Sequence, residues 1–242
     1  MKALEDVYIA PGMLTKEEVD CLYRLGQVNH SDGVIVEIGS WKGKSTIALA
    51  RAASKTHSEK VYAIDPHAIQ PEEGYLEDTR AEFLANIEQA GVDDHVVPMV
   101  MTSAAAARGW DKPIRLLWID GDHRYEAAQL DFTLWEPFVV EGGIIAMHDT
   151  IRKKGPKRVL WENVFRSDRF QEIAIVDNIT AAKKVRKASL FATLKKWVTI
   201  TLRGIYIAAR KSRVPRSKAI GRFLLKKLTA QAWLPLALFI FS

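Results

Sequence analysis

The chain has 242 residues, 48% of them hydrophobic and 26% charged, with a formal net charge of +6 at pH 7. That is enough apolar content to bury a full core, and an enzyme-sized domain of about 180 residues leaves a sizeable remainder. A single cysteine, Cys21, excludes an intrachain disulfide, and the polar, acidic Met1 to Asp6 lacks a cleavable-signal pattern, so a reducing, cytoplasmic location is expected.

In chain order, Thr15 with Glu18 three residues later fits a capping box that opens a helix through Leu22, Leu25 and Val28. Val34 to Glu37 reads as a first strand and Lys44 to Ala53 as a helix; Val61 to Asp65 reads as a second strand. A polar segment around Pro71 to Gly74 precedes a helix carrying Phe83, Leu84 and Ile87, which Gly91 closes. Val96 to Met101 and Ile114 to Asp120 are strands three and four. Tyr125, Ala128, Phe132 and Trp135 recur at helical spacing, and Pro137 with Gly142-Gly143 leads into a fifth strand, Gly143 to His148. A helix around Val159 to Phe165 and two runs near Ile173 to Val176 and Ile179 to Val185, suited to a hairpin, complete the pattern. The order predicts an α/β fold: a doubly wound, Rossmann-like, seven-stranded and mostly parallel sheet with an antiparallel edge hairpin.

Four of these strands stop at a charged or titratable residue: Glu37, Asp65, Asp120, and His148 with Asp149. Ligands of such sheets sit outside the strands' carboxyl ends, so these groups converge on one crevice. Acids that close together repel unless a cation or cationic ligand joins them.

The first strand turn reads Glu37-Ile38-Gly39-Ser40-Trp41-Lys42-Gly43-Lys44-Ser45. Two glycines four apart let the backbone turn tightly against a nucleotide-type ligand. A phosphate-binding loop needs one more residue between its glycines, and Glu37 has the wrong sign for it; a dinucleotide fingerprint needs glycine where Trp41 stands. The carboxylate suits a cationic ligand. Asp65, at the next strand end, is placed to accept hydrogen bonds from ribose hydroxyls.

The segments E-I-G-S-W-K-G-K-S, A-I-D-P-H, W-I-D-G-D-H and G-G-I-I-A-M-H-D-T, in this order, resemble the class I S-adenosylmethionine-dependent methyltransferases over roughly residues 12–187. Within them the chain is most similar to the cation-dependent small-molecule O-methyltransferases, including the catechol and caffeoyl-CoA enzymes and those that methylate sugars and macrolides. The resemblance implies that Glu37 and Gly39 cradle the methionine part of S-adenosylmethionine, with Ser40, Gly43 and Ser45 in the same loop. It further implies that Asp65 holds the ribose, that Ser103 lies near the adenine, and that Asp120 borders the cofactor.

Asp120 is also the implied first metal ligand. The family's next two ligands, commonly Asp-Asn, fall here on His148 and Asp149, for a divalent cation such as Mg²⁺ or Mn²⁺. Imidazole suits Mn²⁺, Fe²⁺ or Zn²⁺ better than Mg²⁺. His123 stands where related enzymes carry a catalytic lysine, and a neutral imidazole there is a credible base, so His123 and Asp120 are the expected catalytic pair. The implied reaction is in-line attack of a substrate hydroxyl on the sulfonium methyl.

Plainer roles stand beside these. Asp122 reads equally as a helix cap. His67 and His95 are expected at the surface, and Trp118 and Trp135 in the core. Trp41, in the ligand-facing loop, is a candidate to stack on cofactor or substrate.

Charge divides the chain. Residues 1–150 carry 13 Lys and Arg against 25 Asp and Glu, a net of −12, whereas residues 151–242 carry 22 against 4, a net of +18, with no acid after Asp177. A methyltransferase domain over 1–187 and a basic amphipathic helical tail over 188–242 are therefore expected. Leu190, Leu194, Trp197, Thr201 and Ile205 share a helical face, with Lys195, Lys196, Arg203, Arg210 and Lys211 beside it, and a second basic stretch lies around Gly221 to Lys227. The final uncharged run, Leu228 to Ser242, is too short and too interrupted by Pro235 for an ordinary membrane span.

Such a tail reads as interfacial, placing the protein peripherally on the inner face of a membrane; a tail folded over the acidic domain, or a disordered extension, are the plainer readings. The expected partners are a small-molecule or glycan hydroxyl acceptor, an anionic membrane surface and a second copy as a homodimer. The alternative is an RNA methyltransferase whose tail grips phosphates, which would have little use for a metal constellation. A scaffold without catalysis fits less well, because the charged cluster is costly to keep without a ligand.

Overall fold

Runs of largely apolar residues need cover on both faces, and here they form the centre of a sheet between helical layers. A computed structural model of the chain describes residues 4–28, 32–56, 60–68 and 77–211. The expected polar segment at Pro71 to Gly74, the basic stretch at Gly221 to Lys227 and the terminal apolar run lie outside the described residues. The elements are α1 (Glu5–Ile9), α2 (Lys16–Gln27), β1 (Val34–Ile38), α3 (Lys44–Thr56), β2 (Val61–Ile64), α4 (Arg80–Gln89), β3 (Val96–Met99), α5 (Ser103–Ala107), β4 (Ile114–Ile119), α6 (Tyr125–Trp135), β5 (Val139–Met147), α7 (Lys154–Leu160), β6 (Phe170–Val176), β7 (Ile179–Lys184) and α8 (Leu190–Lys211).

The seven strands run in the order β3-β2-β1-β4-β5-β7-β6. β1 to β5 pair in parallel, and β7 is antiparallel to both β5 and β6. The expected fold class holds, with the returning strand of the hairpin inserted inside the edge. Chain order reverses between β1 and β4, and the crevice at that switch point is where a ligand is expected.

Alternation along the strands assigns side chains to the two layers. Ile35, Leu116 and Trp118 pack with α2 and α3 residues such as Leu22, Leu25 and Ile47, while Val36, Leu117 and Ile119 pack with Phe132, Trp135, Val159 and Phe165 on the other face. Each fully buried aliphatic side chain contributes about 1.5–3 kcal/mol relative to exposure. Trp118 and Trp135 are core residues, as expected. The one charge inside β4, Arg115, donates to Gly26 O (2.9 Å) and Val28 O (3.1 Å), satisfying carbonyls that the end of α2 leaves unpaired.

The capping box forms as read. Thr15 Oγ1 accepts from Glu18 N at 3.3 Å, and Glu18 Oε2 accepts from Thr15 N at 2.9 Å. The expected helix near Val159 is α7 continued by one wider π turn, Trp161–Phe165. No helix among the described residues is long and apolar enough to cross a membrane.

Candidate active site

A cavity of about 1120 Å³ opens outside the carboxyl ends of β1, β2, β4 and β5. Backbone hydrogen bonds carry the pairing one residue past the strand ends: Gly39 N to Ile64 O, Asp120 N to Ile38 O and His148 N to Ile119 O, at 2.8–3.0 Å. The strand-end groups are thereby fixed along one rim. Three non-glycine residues on that rim, Trp41, His67 and Asp149, hold positive φ of 42°, 51° and 51°. Such backbone costs of order 1–3 kcal/mol each and collects where ligands are held.

Gly39, at φ 84°, is required sterically, because a Cβ there would lie 2.4 Å from Asp120 O. Ser40, Ser45, Asp65, Ser103, Asp120, His123, His148 and Asp149 all line the cavity, so the structure brings together most of the residues singled out from sequence. Asp65 accepts from Trp41 N at 2.9 Å and His67 N at 2.7 Å, one bond on each oxygen. A carboxylate has about four lone-pair sites, so acceptor capacity remains for a ligand. Ser40 Oγ is buried without a hydrogen-bond partner. An orphaned hydroxyl in a ligand-sized cavity, above a backbone turn with no room for a Cβ, fits a cofactor that approaches the loop closely.

Two loop residues are placed differently from expectation. Glu37 is not among the cavity-lining residues; it lies behind the loop, where Oε2 accepts from Thr46 Oγ1 at 2.5 Å and burial pushes its pKa up to about 8. Gly43 also stands off the wall, and its missing Cβ makes room for Phe83 and Ile87.

The expected metal triad is organised as an ion-pair cluster. His148 Nδ1 lies 3.0 Å from Asp120 Oδ1, and Nε2 lies 3.1 Å from Oε1 of Glu18, which is 1% exposed. Burial opposes the imidazolium, but the two carboxylates outweigh it and raise the His148 pKa to about 10. Burial likewise opposes ionisation of Asp120 and Glu18, and the His148 charge overrides it, holding Asp120 low and Glu18 at about 2. An imidazole ligates a metal through a free nitrogen lone pair, and both His148 nitrogens are engaged. Among the described residues no group of three His, Cys, Asp or Glu side chains is arranged to hold a metal ion. A cation held by Asp120, His148 and Asp149 therefore does not fit this arrangement, in which the His148 imidazolium joins the acids.

His123 faces the same cluster. Its buried Nε2 is 3.3 Å from Asp149 Oδ2 and 3.9 Å from Asp120 Oδ1, near enough to help hold the Asp120 carboxyl low but without a well-formed hydrogen bond to either. Its side chain is 38% exposed, more open than that of Asp120 or Asp149.

Sequence reasoning missed several residues. His67 was expected at the surface but is 4% exposed, lines the cavity and pairs Nδ1 with Thr79 Oγ1 at 2.9 Å. Asp131 accepts from Ser103 Oγ, and burial pushes its pKa up to about 6. Its position among Ala128, Phe132 and Trp135, on the buried face of a helix, was the available signal. Glu18 was read only as a cap, and Gly12 to Leu14 reach the cavity from a segment with no motif. Asp122 hydrogen-bonds Arg124 N at 2.8 Å just before α6, and it also lines the cavity.

Residues 36–150 match the family described as a methyltransferase domain. An uncharacterized protein of Acanthamoeba polyphaga mimivirus is 28% identical over 124 residues, 49% of this chain and 52% of that one. The chain thus spans about half the length of that curated relative. Among solved structures, the O-methyltransferase NovP superposes with a TM-score of 0.64 at 17% identity, over 72% of this chain and 82% of that one. An O-methyltransferase from Bacillus cereus, solved with S-adenosylhomocysteine (SAH), does so with a TM-score of 0.55 at 18% identity, over 76% and 91%. At such identities the likeness is one of fold.

Proposed function

We propose that this chain, whose residues 36–150 match a methyltransferase domain, is an S-adenosylmethionine-dependent O-methyltransferase that acts on a hydroxyl of a sugar, glycan or other polyhydroxy or phenolic molecule. The observation that carries the reading is His123 Nε2: it is buried without a hydrogen-bond partner, and its residue lines the same strand-end cavity as Asp65 and Ser40. When bound, the cofactor supplies a methyl carbon activated by its sulfonium, whose C–S electron pair leaves with sulfur as the acceptor oxygen bonds to carbon. Asp65 is assigned to the ribose hydroxyls, and Gly39 and Ser40 to the methionine part. Ser103, held by Asp131, is assigned to the adenine end.

His123 takes the hydroxyl proton at Nε2, and Asp149 stabilises the imidazolium that forms. Because His148 already holds its full complement of protons between two carboxylates, it is a fixed charge and not the base. Positioning then supplies much of the rate, since the donor arrives activated.

The test is calorimetry with S-adenosylmethionine, followed by mass spectrometry of a metabolite extract incubated with methyl-labelled cofactor. Cofactor binding together with a labelled methyl ether supports the reading; no binding by the intact chain overturns it.

A further inference from the structure

Helix α8 docks through buried Lys196, Thr199 and Arg203, with the partly buried Ile200 and Leu202 beside them. Lys196, 2% exposed, donates to Ser167 O, and Arg203, 5% exposed, donates from Nη2 to Thr150 O and lies 5.2 Å from the Phe165 ring. The opposite side presents Leu190, Phe191, Leu194, Trp197, Val198 and Ile205, between 44% and 87% exposed. Globular proteins ordinarily arrange such a helix the other way round, so a contiguous apolar stripe turned outward marks a surface that meets another phase or molecule.

Beside the stripe lies a cleft of about 400 Å³ walled by Lys154, Lys157, Arg158, Trp161 and Arg203. Arg203 Nε is buried there without a hydrogen-bond partner, and Lys154 and Lys157 make no ion pair among the described residues. Trp161 and Trp197, each more than two-fifths exposed, meet edge to face at 6.3 Å. Their contact joins the basic cleft to the apolar stripe.

We propose that this surface seats on an anionic phospholipid bilayer, with the α8 stripe in the acyl boundary, the Trp161–Trp197 pair at headgroup level and a lipid phosphate in the Lys154–Lys157–Arg203 cleft. A bilayer is the occupant that presents apolar and anionic layers side by side, in the order this surface requires. RNA would satisfy the cleft and leave the stripe in water. A second copy seated on the stripe across a twofold axis would bring two basic clefts together, at a cost in like-charge repulsion. The remaining chain adds the same chemistry, since no acid follows Asp177. Thr150, which receives Arg203, directly follows Asp149, and Arg152 and Lys153 line the cavity. The seated surface therefore adjoins the acceptor opening. Resting on the methyltransferase reading, this narrows the acceptor to a hydroxyl carried on a lipid-linked or membrane-surface molecule.

The test is co-sedimentation of the full chain with vesicles of phosphatidylcholine containing about 30% phosphatidylglycerol, and with phosphatidylcholine alone, at about 0.1 M salt. The parent should pellet with the anionic vesicles. Leu194→Glu/Trp197→Glu and Lys154→Glu/Lys157→Glu should each weaken that binding about tenfold or more, with helicity by circular dichroism and affinity for S-adenosylmethionine unchanged. Equal binding by both double variants overturns the proposal. So does retention of RNA by a parent that ignores anionic vesicles, or a dimer that dissociates in Leu194→Glu/Trp197→Glu without any vesicle binding. Vesicle binding by a chain that takes up no S-adenosylmethionine leaves the surface standing and overturns only the enzyme reading.

Discussion

The Nε2 of His148 lies 3.1 Å from Glu18 Oε1, joining the end of β5 to the first turn of α2 across 130 residues. The same carboxylate caps α2 through Oε2, and its Oε1 also accepts from Asn178 N at 3.1 Å in the turn between β6 and β7. One buried side chain thus ties the helix start and the hairpin turn to the histidine that faces Asp120. Removing one member of such a pair leaves an uncompensated buried charge, which costs about 3–5 kcal/mol.

Stability should accordingly depend on pH through this pair. His148 is raised from 6.5 to about 10, so its contribution is complete below pH 6.5 and is lost as pH rises through 10; Glu18 is lowered from 4.5 to about 2, so its contribution is complete above pH 4.5 and is lost as pH falls through 2. Both are present between pH 4.5 and 6.5. Thermal melts of the parent should decline from pH 7 towards 10, and His148→Gln should flatten that decline while lowering the whole curve. An identical alkaline slope in the variant would remove His148 as its source.

Gly39→Ala should disrupt the site without unfolding the sheet. The added Cβ meets Asp120 O at 2.4 Å, and the residue must also hold φ 84°, so either the loop or Asp120 moves. A shift of about 1 Å in a positioned group costs on the order of a hundredfold in rate. The expected result is loss of cofactor affinity in calorimetry with a melting temperature lowered only modestly. Parent-like affinity would show that the loop tolerates the change.

Much of this was legible in the sequence, for physical reasons that also mark where legibility ended. Strands β1, β2 and β4 announce themselves as short apolar runs broken only by Glu37 and Arg115, and the Thr15–Glu18 spacing fixes the start of α2. Local patterns, however, carry no information about partners far along the chain. Glu18 therefore read as a cap and not as a ligand of His148, and Glu37 read as facing the ligand although Thr46 draws it behind the loop. His67 lacked any apolar pattern to betray its burial. Periodicity revealed the two faces of α8 but not which one docks, because that depends on the backbone carbonyls of Ser167 and Thr150 that receive its cations.

Asp65→Ala should weaken S-adenosylmethionine binding at least tenfold, or about 1.4 kcal/mol, through the lost ribose hydrogen bonds. Part of the effect will be indirect, because Trp41 N and His67 N lose the acceptor that fixes them. Asp65→Asn keeps an acceptor oxygen and should recover part of the affinity. Calorimetry that finds Ala and Asn equally harmless would take the cofactor away from β2.

Metal removal is expected to leave the rate unchanged, since both nitrogens of His148 are engaged by carboxylates. Chelator-treated enzyme, checked for residual metal by plasma mass spectrometry, should turn over as before. Stoichiometric Mg²⁺ or Mn²⁺ in the purified chain, lost together with activity in Asp149→Asn, would restore the ligand set that the sequence resemblance implied.

His123→Gln should lower kcat by about 10²–10⁴-fold, the usual contribution of a positioned general base, while cofactor affinity stays at the parent value. The Nε2 atom is buried without a hydrogen-bond partner on a side chain that is the most open of the cluster, and Asp149 Oδ2 stands 3.3 Å away to balance the charge that proton uptake creates. Glutamine retains polarity and much of the volume but accepts no proton at working pH, so KM for the acceptor should change far less than kcat. Gly155→Ala offers an independent check, because a Cβ at Gly155 would meet His123 O at 2.2 Å and displace the base without altering its chemistry. That variant should lose kcat while cofactor affinity stays close to the parent's, as in His123→Gln. A kcat in His123→Gln that matches the parent's would assign the base to another group.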